Sequence, residues 1–237
     1  MNEGGRGTVT LIIGIMVGRM TLTGSFGDFV QQRMRWPLAI AAVFLIVLGV
    51  IDLVRWSRAA LEQDRRAAPA VGALMVIPIL VFVAVAPTAL GASAADRVDS
   101  YEPPEPETDS WALPEEDPFE MRMVDFVNHA LYDEDGRLEG RSVILEGIVV
   151  NDPEVPDGFV LVRFLVSCCA ADGIPLKIAL LDSPERFEDD TWVRATVTWK
   201  PPPVPYDDPD APLYIEATVE SVEVIDDPPD SPYESPF

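Results

Sequence analysis

Two apolar runs in the first 92 residues constrain the fold of this chain more than any other feature of its sequence. Residues 37–54, PLAIAAVFLIVLGVIDLV, hold one acidic side chain, Asp52, and are flanked by Trp36 and Trp56. Residues 67–92 carry no charged side chain. About 20 apolar residues cross the hydrocarbon core of a bilayer as a helix, and tryptophan favours its interfaces. The runs therefore predict membrane spans at about 36–56 and 70–92.

A third apolar segment precedes them, but Arg19 interrupts it. The stretch TVTLIIGIMVG is followed by Arg19 and then by MTLTGSFGDFV, which predicts a span at about 8–30 with a polar outer end. Arg19 has two interpretations: its long side chain reaches the interface, or it faces a partner helix or an aqueous path. Residues 1–95 are thus a predicted transmembrane region with three spans.

The arginines between the runs predict an orientation. Segment 55–69 carries four arginines against two acids, and positive loops favour the cytoplasmic side. With three spans, the N-terminus and the loop at 57–69 lie in the cytoplasm, and the chain after about residue 93 is extracytoplasmic. The sequence therefore predicts a multi-pass protein of the cell membrane, with the lipid bilayer as one of its partners.

Charge separates the second half of the chain from the first. Residues 93–237 hold 35 acidic side chains against nine basic ones, whereas residues 1–92 hold eight arginines against five acids. An acidic surface repels phosphate backbones, which excludes nucleic acid as a partner. Residues 96–118 are so rich in acids and prolines that they predict an extended, mobile tether.

The remaining sequence predicts a small all-β domain at 119–225. A helical stripe with Met123, Val127 and Leu131 predicts one short helix at 119–132. Segments rich in β-branched and aromatic residues then predict five strands, at 142–150, 159–167, 175–182, 191–199 and 213–225. Five short strands in so few residues favour an OB-like barrel. The tail at 226–237 is predicted to be extended and to fold back along the barrel as a strap.

Both cysteines of the chain are adjacent, in FLVSCCAADGIP. Neighbouring Cα atoms lie about 3.8 Å apart, which is short for a disulfide and makes a bond between Cys168 and Cys169 strained. In a regular strand the two side chains would point to opposite faces, so both could ligate a metal only where the strand has ended. The segment AADG predicts such a turn, and Asp172 would then add an oxygen. His129 is the sole imidazole available to such a site. The alternative is that the cysteines fill the core and the turn.

Three longer stretches carry a resemblance to a known family. RFLVSCCAADGIP, DDTWVRATVTW and the terminal PPDSPYE resemble an uncharacterised bacterial family of YcgQ-like membrane proteins, which are regarded as permease subunits. The resemblance implies a multi-span permease as partner. It also places Arg163, Trp192 and Tyr233, together with the Cys–Cys–Asp block, at motif positions of unknown role. Some relatives carry histidines in the loop before the last span, but residues 55–69 hold none.

The sequence leaves two functional hypotheses. The first is an integral membrane accessory subunit of a permease, whose extracytoplasmic β domain docks on the permease or gates it. The second is an extracytoplasmic metal-binding or thiol-redox protein that uses Cys168 and Cys169. The chain has no nucleophile–base motif and no phosphate-binding glycine loop, so we expect no enzyme and no cofactor other than a metal ion at the cysteines.

Overall fold

The computed structural model describes residues 3–62, 89–97, 112–206, 208–226 and 231–236. The chain divides into two compact units, Met1–Ala89 and Leu90–Phe237. The first unit is helical over its described residues, and the second is built around a β sheet.

Two antiparallel helices form the described part of the first unit. Helix α1 spans Glu3–Thr23 and helix α2 spans Arg35–Glu62. Helix α1 ends where Gly24 adopts a left-handed backbone conformation with φ of 84°, which glycine accepts without strain. The helices pack closely through small residues. A Cβ atom on Gly14 would lie 2.9 Å from the Ile46 backbone nitrogen, and one on Gly49 would lie 2.7 Å from the Leu11 nitrogen.

Among the described residues, one helical stretch is long and apolar enough to cross a membrane, at Gln32–Arg58 within and just before α2. The predicted span at 8–30 is not confirmed. Its helix ends at Thr23, and only residues 7–18, about 18 Å of helix, separate Arg6 from Arg19, whereas a bilayer core is about 30 Å thick. Most of the predicted span at 70–92 lies outside the described residues, and Leu90 already belongs to the second unit.

The second unit contains two α-helices, one 3-10 turn and seven strands among its described residues. The helices are α3 at Ala92–Ala95 and α4 at Met123–Tyr132. The strands are β1 at Phe119–Glu120, β2 at Ser142–Val150, β3 at Phe159–Leu165, β4 at Ile174–Leu181, β5 at Trp192–Lys200, β6 at Ile215–Val224 and β7 at Tyr233–Glu234. Alternate residues of each strand point to opposite faces of the sheet, so one face is apolar and buried. In β5, for example, Val193, Ala195 and Val197 are fully buried.

The five long strands close into a barrel. Their order is β2-β5-β6-β4-β3, and β3 pairs again with β2. All of these pairs are antiparallel except β4 with β6. Closure needs a glycine, because a Cβ atom on Gly147 would lie 2.7 Å from the carbonyl oxygen of Val162. The arrangement is consistent with the predicted OB-like barrel.

Helix α4 supplies part of the barrel core. Met123, Phe126 and Val127 are buried there against strand residues, which gives a physical reason for the apolar stripe of the sequence. The predicted helix at 119–132 is therefore correct in type, but it begins at Met123. The two residues Phe119 and Glu120 instead form β1, which pairs in parallel with β2.

The flanking segments of the second unit are also fixed to the barrel. The tail returns onto it, since β7 pairs in parallel with β3 and Tyr233 lies opposite Phe164. Residues 98–111 of the predicted tether lie outside the described residues. The end of that segment is anchored, because the Asp117 carboxylate accepts a hydrogen bond from the Ser142 N–H at 3.1 Å and pairs with Arg141.

Candidate functional site

The two cysteines lie in the loop at residues 166–173 that joins β3 to β4, which we call the cysteine loop. Cys168 is exposed and Cys169 is half-buried, and neither belongs to the barrel core. The expectation that one of them packs inside the barrel is therefore wrong. Strand β3 ends at Leu165, two residues earlier than predicted, so both cysteines stand beyond regular strand geometry.

The Asp172 carboxylate folds the cysteine loop around itself. Its Oδ1 accepts the Ser167 N–H at 2.9 Å, and its Oδ2 accepts the N–H groups of Cys168 at 2.9 Å and Cys169 at 3.4 Å. A short 3-10 turn, Ala170–Asp172, brings the carboxylate back to these donors. The predicted turn therefore exists. Three hydrogen bonds to one charged group hold the backbone of the two cysteines in a defined curve.

The curve brings three metal-ligating atoms together. The Cys168 and Cys169 Sγ atoms are 3.7 Å apart and not bonded. Each of these sulfurs and a carboxylate oxygen of Asp172 all lie within 4.8 Å of one another. Among the residues that the structure describes, this is the single group of three or more cysteine, histidine or acidic side chains with that geometry. The residues nominated from the sequence as candidate ligands are thus placed together.

The same contacts shift two proton affinities in opposite directions. The hydrogen bond and negative charge of Asp172, together with the neighbouring Cys169, raise the pKa of the Cys168 thiol to about 11. Partial burial opposes the charged form of Asp172, but the Cys168 thiol and the backbone N–H groups lower its pKa below the ordinary value. At neutral pH the loop therefore holds a carboxylate beside a protonated thiol.

His129, the imidazole considered as a further ligand, is not part of the loop. It is buried in α4, and its Nδ1 lies 3.0 Å from the Asp133 carboxylate, one helical turn further along the chain. This pairing accounts for a histidine on an otherwise apolar helix face.

The three motif positions of unknown role cluster around the tail. We call residues 231–236 the tail strap. The Arg163 guanidinium lies 5.3 Å from the Trp192 ring centroid and donates hydrogen bonds to the carbonyl oxygens of Ser231 and Glu146. The Tyr233 hydroxyl accepts the Leu90 N–H at 3.0 Å. Arg163 therefore joins the tail strap to the barrel, Tyr233 joins the strap to Leu90, and neither these residues nor Trp192 belong to the metal-ligating group.

One residue of the tail strap was missed by the sequence analysis. Glu234 is buried, and its carboxylate accepts the N–H groups of Met123 at 2.7 Å and Val124 at 2.9 Å, at the start of α4. Burial raises the pKa of Glu234, against the lowering effect of those two bonds. In the sequence it is one acid among many in an acidic tail, so no local signal distinguishes it from a solvated residue.

The sequence of the barrel region identifies the family of this chain. The sequence profile of the DUF1980 C-terminal domain matches residues 115–233. This chain belongs to the DUF1980 family. The match includes α4, the whole barrel and the cysteine loop of this DUF1980 protein, and it ends at Tyr233 in the tail strap. The family is uncharacterised, and its name does not confirm the YcgQ-like resemblance. No curated protein and no solved structure shows significant similarity to the chain.

Proposed function

We propose that this protein is a membrane-attached accessory subunit whose β unit binds a thiophilic divalent metal ion at Cys168, Cys169 and Asp172 on the extracytoplasmic side. One observation carries the metal-binding proposal, namely the separation of 3.7 Å between the two Sγ atoms. With metal–sulfur bonds of about 2.3 Å and tetrahedral angles, two thiolates on one zinc ion lie about 3.8 Å apart. The two sulfurs are therefore spaced for a shared tetrahedral ion without movement of the backbone.

The kind of metal follows from the donor atoms. Two thiolates select soft or borderline ions such as Zn²⁺ over Mg²⁺ and Ca²⁺, which require oxygen ligands. Thiolate is the binding form of cysteine, so each ion displaces up to two protons as it binds. Because the pKa of Cys168 is about 11, affinity should rise with pH across the neutral range. The negative charge of residues 93–237 raises the local concentration of any cation.

The geometry of the site suits the exchange of a metal ion better than a structural role for that ion. It provides three ligands, and one of them, Cys168, is exposed. A structural zinc site normally has four protein ligands and is closed to solvent, whereas three ligands leave a position for water or an incoming donor. No residue of the cysteine loop belongs to the barrel core, so we expect the domain to fold without the metal ion.

The accessory role is a second proposal and is supported by the helical unit. Helix α2 exposes apolar side chains along most of its length, including Ile40, Phe44 and Val47, which suits lipid or the helices of a multi-span permease. Even three spans are too few for a transporter built from repeats, so we assign the transport path to the partner. The arginines at 55–69 favour the cytoplasmic side for that stretch, which, together with the predicted span at 70–92, supports an extracytoplasmic β unit. We assign no catalytic activity to this subunit.

Metal titration of the full-length protein tests the binding proposal. The protein is purified in mild detergent with a phosphine reductant, stripped of metal, and titrated with Co²⁺ and Zn²⁺ while thiolate-to-cobalt absorption is followed. We expect about one ion per chain with tetrahedral cobalt bands, and roughly a hundredfold loss of affinity in Cys168→Ser or Cys169→Ser. Asp157→Asn, an acid at the opposite end of β3, is the matched control and should bind as the wild type does.

Two results would reject the metal-binding proposal. One is equal affinity in the wild type and in the double variant Cys168→Ser/Cys169→Ser. The other is free thiols that react quantitatively with Ellman's reagent while no cobalt binds, which would favour the thiol-redox function instead. Native mass spectrometry of the same preparation tests the accessory role, which requires a co-purifying multi-span membrane protein at fixed stoichiometry.

A further inference from the structure

The two sulfurs of the cysteine loop are close enough for either of two bonding arrangements. They lie 3.7 Å apart and are not bonded to each other. This separation suits two thiolates that share a tetrahedral ion, whereas the sulfurs of a disulfide are about 2.05 Å apart. To form a disulfide, the sulfurs of Cys168 and Cys169 would have to approach each other by about 1.7 Å. A sulfur in a disulfide is no longer a thiolate, so the pair holds either a metal ion or a disulfide, but not both.

The backbone of the cysteine loop favours the reduced arrangement. A disulfide between adjacent cysteines closes a small ring that contains the peptide unit joining Cys168 to Cys169. The Cα atoms on either side of a trans peptide are about 3.8 Å apart, below the usual range for disulfides of about 4.4–6.8 Å. The N–H of this peptide unit, which belongs to Cys169, donates to the Asp172 carboxylate at 3.4 Å. Ring closure therefore strains the loop, and strain makes a disulfide easier to reduce.

The barrel limits any such change to the loop itself. The ends of the loop are held by the antiparallel pairing of Leu165 with Ile174, where β3 meets β4. Gly173 is packed against the Leu90 side chain, since a Cβ atom on Gly173 would lie 2.5 Å from Leu90 Cδ1. The loop contributes no residue to the barrel core, and Cys168 is exposed. A molecule in solution can therefore react with the Cys168 sulfur while the barrel stays folded.

We propose that the cysteine loop is a redox-controlled metal site, in which a disulfide oxidant joins the two sulfurs to each other and thereby releases the bound ion. The oxidant is a low-molecular-weight disulfide, which reaches the loop at the exposed Cys168. Because the loop geometry favours the reduced cysteines, thiols reverse the reaction and restore the metal site. The release of an ion rests on the proposed metal-binding function, whereas the reaction of the sulfurs rests on the geometry of the loop alone.

The reaction is a thiol–disulfide exchange in two steps. Metal binding has already displaced the protons of both thiols, so both sulfurs are thiolates when the oxidant R–S–S–R arrives. The Cys168 sulfur attacks one sulfur of the oxidant, forms a mixed disulfide and displaces the first R–S⁻. The Cys169 sulfur then attacks the Cys168 sulfur, forms the bond between the two cysteines and displaces the second R–S⁻. The two cysteine sulfurs are oxidised, the oxidant is reduced to two thiolates, and the divalent ion passes to solvent because it has lost both sulfur ligands.

Glutathione redox buffers test the proposal. Full-length protein in mild detergent is loaded with Zn²⁺ and equilibrated at a series of ratios of oxidised to reduced glutathione. Remaining thiols are trapped by alkylation and counted by intact mass spectrometry, while a chromogenic chelator measures released Zn²⁺ above the baseline given by reduced glutathione alone. We expect one Zn²⁺ to be released for each disulfide formed within a chain, and Zn²⁺ binding to return after reduction with a phosphine. Thiols that stay free in fully oxidised glutathione overturn the proposal.

A variant and metal-free protein separate the parts of the proposal. Cys169→Ser leaves Cys168 without a neighbouring thiol, so it should stop at the mixed disulfide with glutathione; a wild-type chain that also stops there contradicts ring closure. If metal-free protein forms the disulfide but Zn²⁺ never loads, the reaction of the sulfurs stands and the proposed metal-binding function fails. If Zn²⁺ loads and remains bound in oxidised glutathione, the metal-binding function stands and the redox control fails.

Discussion

The sharpest prediction concerns Asp172→Asn and the reactivity of Cys168. The Asp172 carboxylate is the largest cause of the rise in the Cys168 pKa from its ordinary 9.0 to about 11. The substitution removes the negative charge and the acceptor that favour the protonated thiol, so the pKa should fall. At pH 8, about 0.1% of a thiol with pKa 11 is thiolate, compared with about 9% of one with pKa 9.

The expected change in rate is smaller than the change in thiolate. Nucleophilicity falls with thiol pKa, with a Brønsted coefficient of about 0.4–0.5, so a decrease of two pKa units costs a factor of about eight. The net gain is at most about tenfold, and it is smaller in a Cys169→Ser background, where one cause of the raised pKa of Cys168 is already removed. We expect Asp172→Asn to accelerate alkylation of Cys168 at pH 8 by about three- to tenfold.

Iodoacetamide kinetics between pH 7 and 11 provide the measurement. Both proteins carry Cys169→Ser, so that a single thiol reacts, and mass spectrometry confirms labelling at Cys168. Glu185→Gln in the same background is the control for a general change of charge. An unchanged or higher pH midpoint in the Asp172→Asn protein would refute the assigned cause of the shift. Circular dichroism verifies that the barrel remains folded.

Three further predictions concern stability. Ending the chain after Ile225 removes the tail strap with its hydrogen bonds and buried tyrosine; we expect the free energy of unfolding to fall by about 3 kcal/mol and the melting temperature by about 10 °C. An unchanged melting temperature would show that the strap is dispensable. Arg163→Lys removes the guanidinium group, which donates two hydrogen bonds and lies over the Trp192 ring, so the free energy of unfolding in urea should fall by about 1–3 kcal/mol. An unchanged free energy of unfolding would contradict the role we assign to Arg163. Gly49→Ile should separate α1 from α2, because its Cβ would lie 2.7 Å from the Leu11 nitrogen; the helical melt in detergent should shift downward, whereas the exposed Val50→Ala should not change it.

The strands are the part of this fold that local sequence predicts best. Each of the five predicted strands is present, with ends displaced by at most two residues. The alternation of apolar and polar side chains is sufficient here because each strand has one face in the barrel core and one outside. Five short strands in so few residues also allow few ways to close a sheet, which is why the sequence predicted an OB-like barrel.

Membrane spans were harder to count than strands. The run at 37–54 predicted α2 well, since a stretch of 18 residues with Asp52 as its one charged side chain is typical of a membrane helix. The segment at 8–30 is preceded by Arg6 and interrupted by Arg19, and its helix ends at Thr23, before Gly24. The glycines of α1 are explained by contacts with α2, which the order of residues alone does not reveal.

By itself, the sequence determined the five strands of the barrel, the existence of α4 and the candidate ligands Cys168, Cys169 and Asp172, because periodicity and residue chemistry are local properties. Only the tertiary structure decided what those residues do together. Whether two adjacent cysteines diverge or converge depends on where β3 ends and on a carboxylate that accepts three backbone N–H groups. The roles of Glu234 and Leu90 depend on contacts across more than 80 residues of chain. Such contacts form only when the barrel closes, and no short window of sequence encodes them.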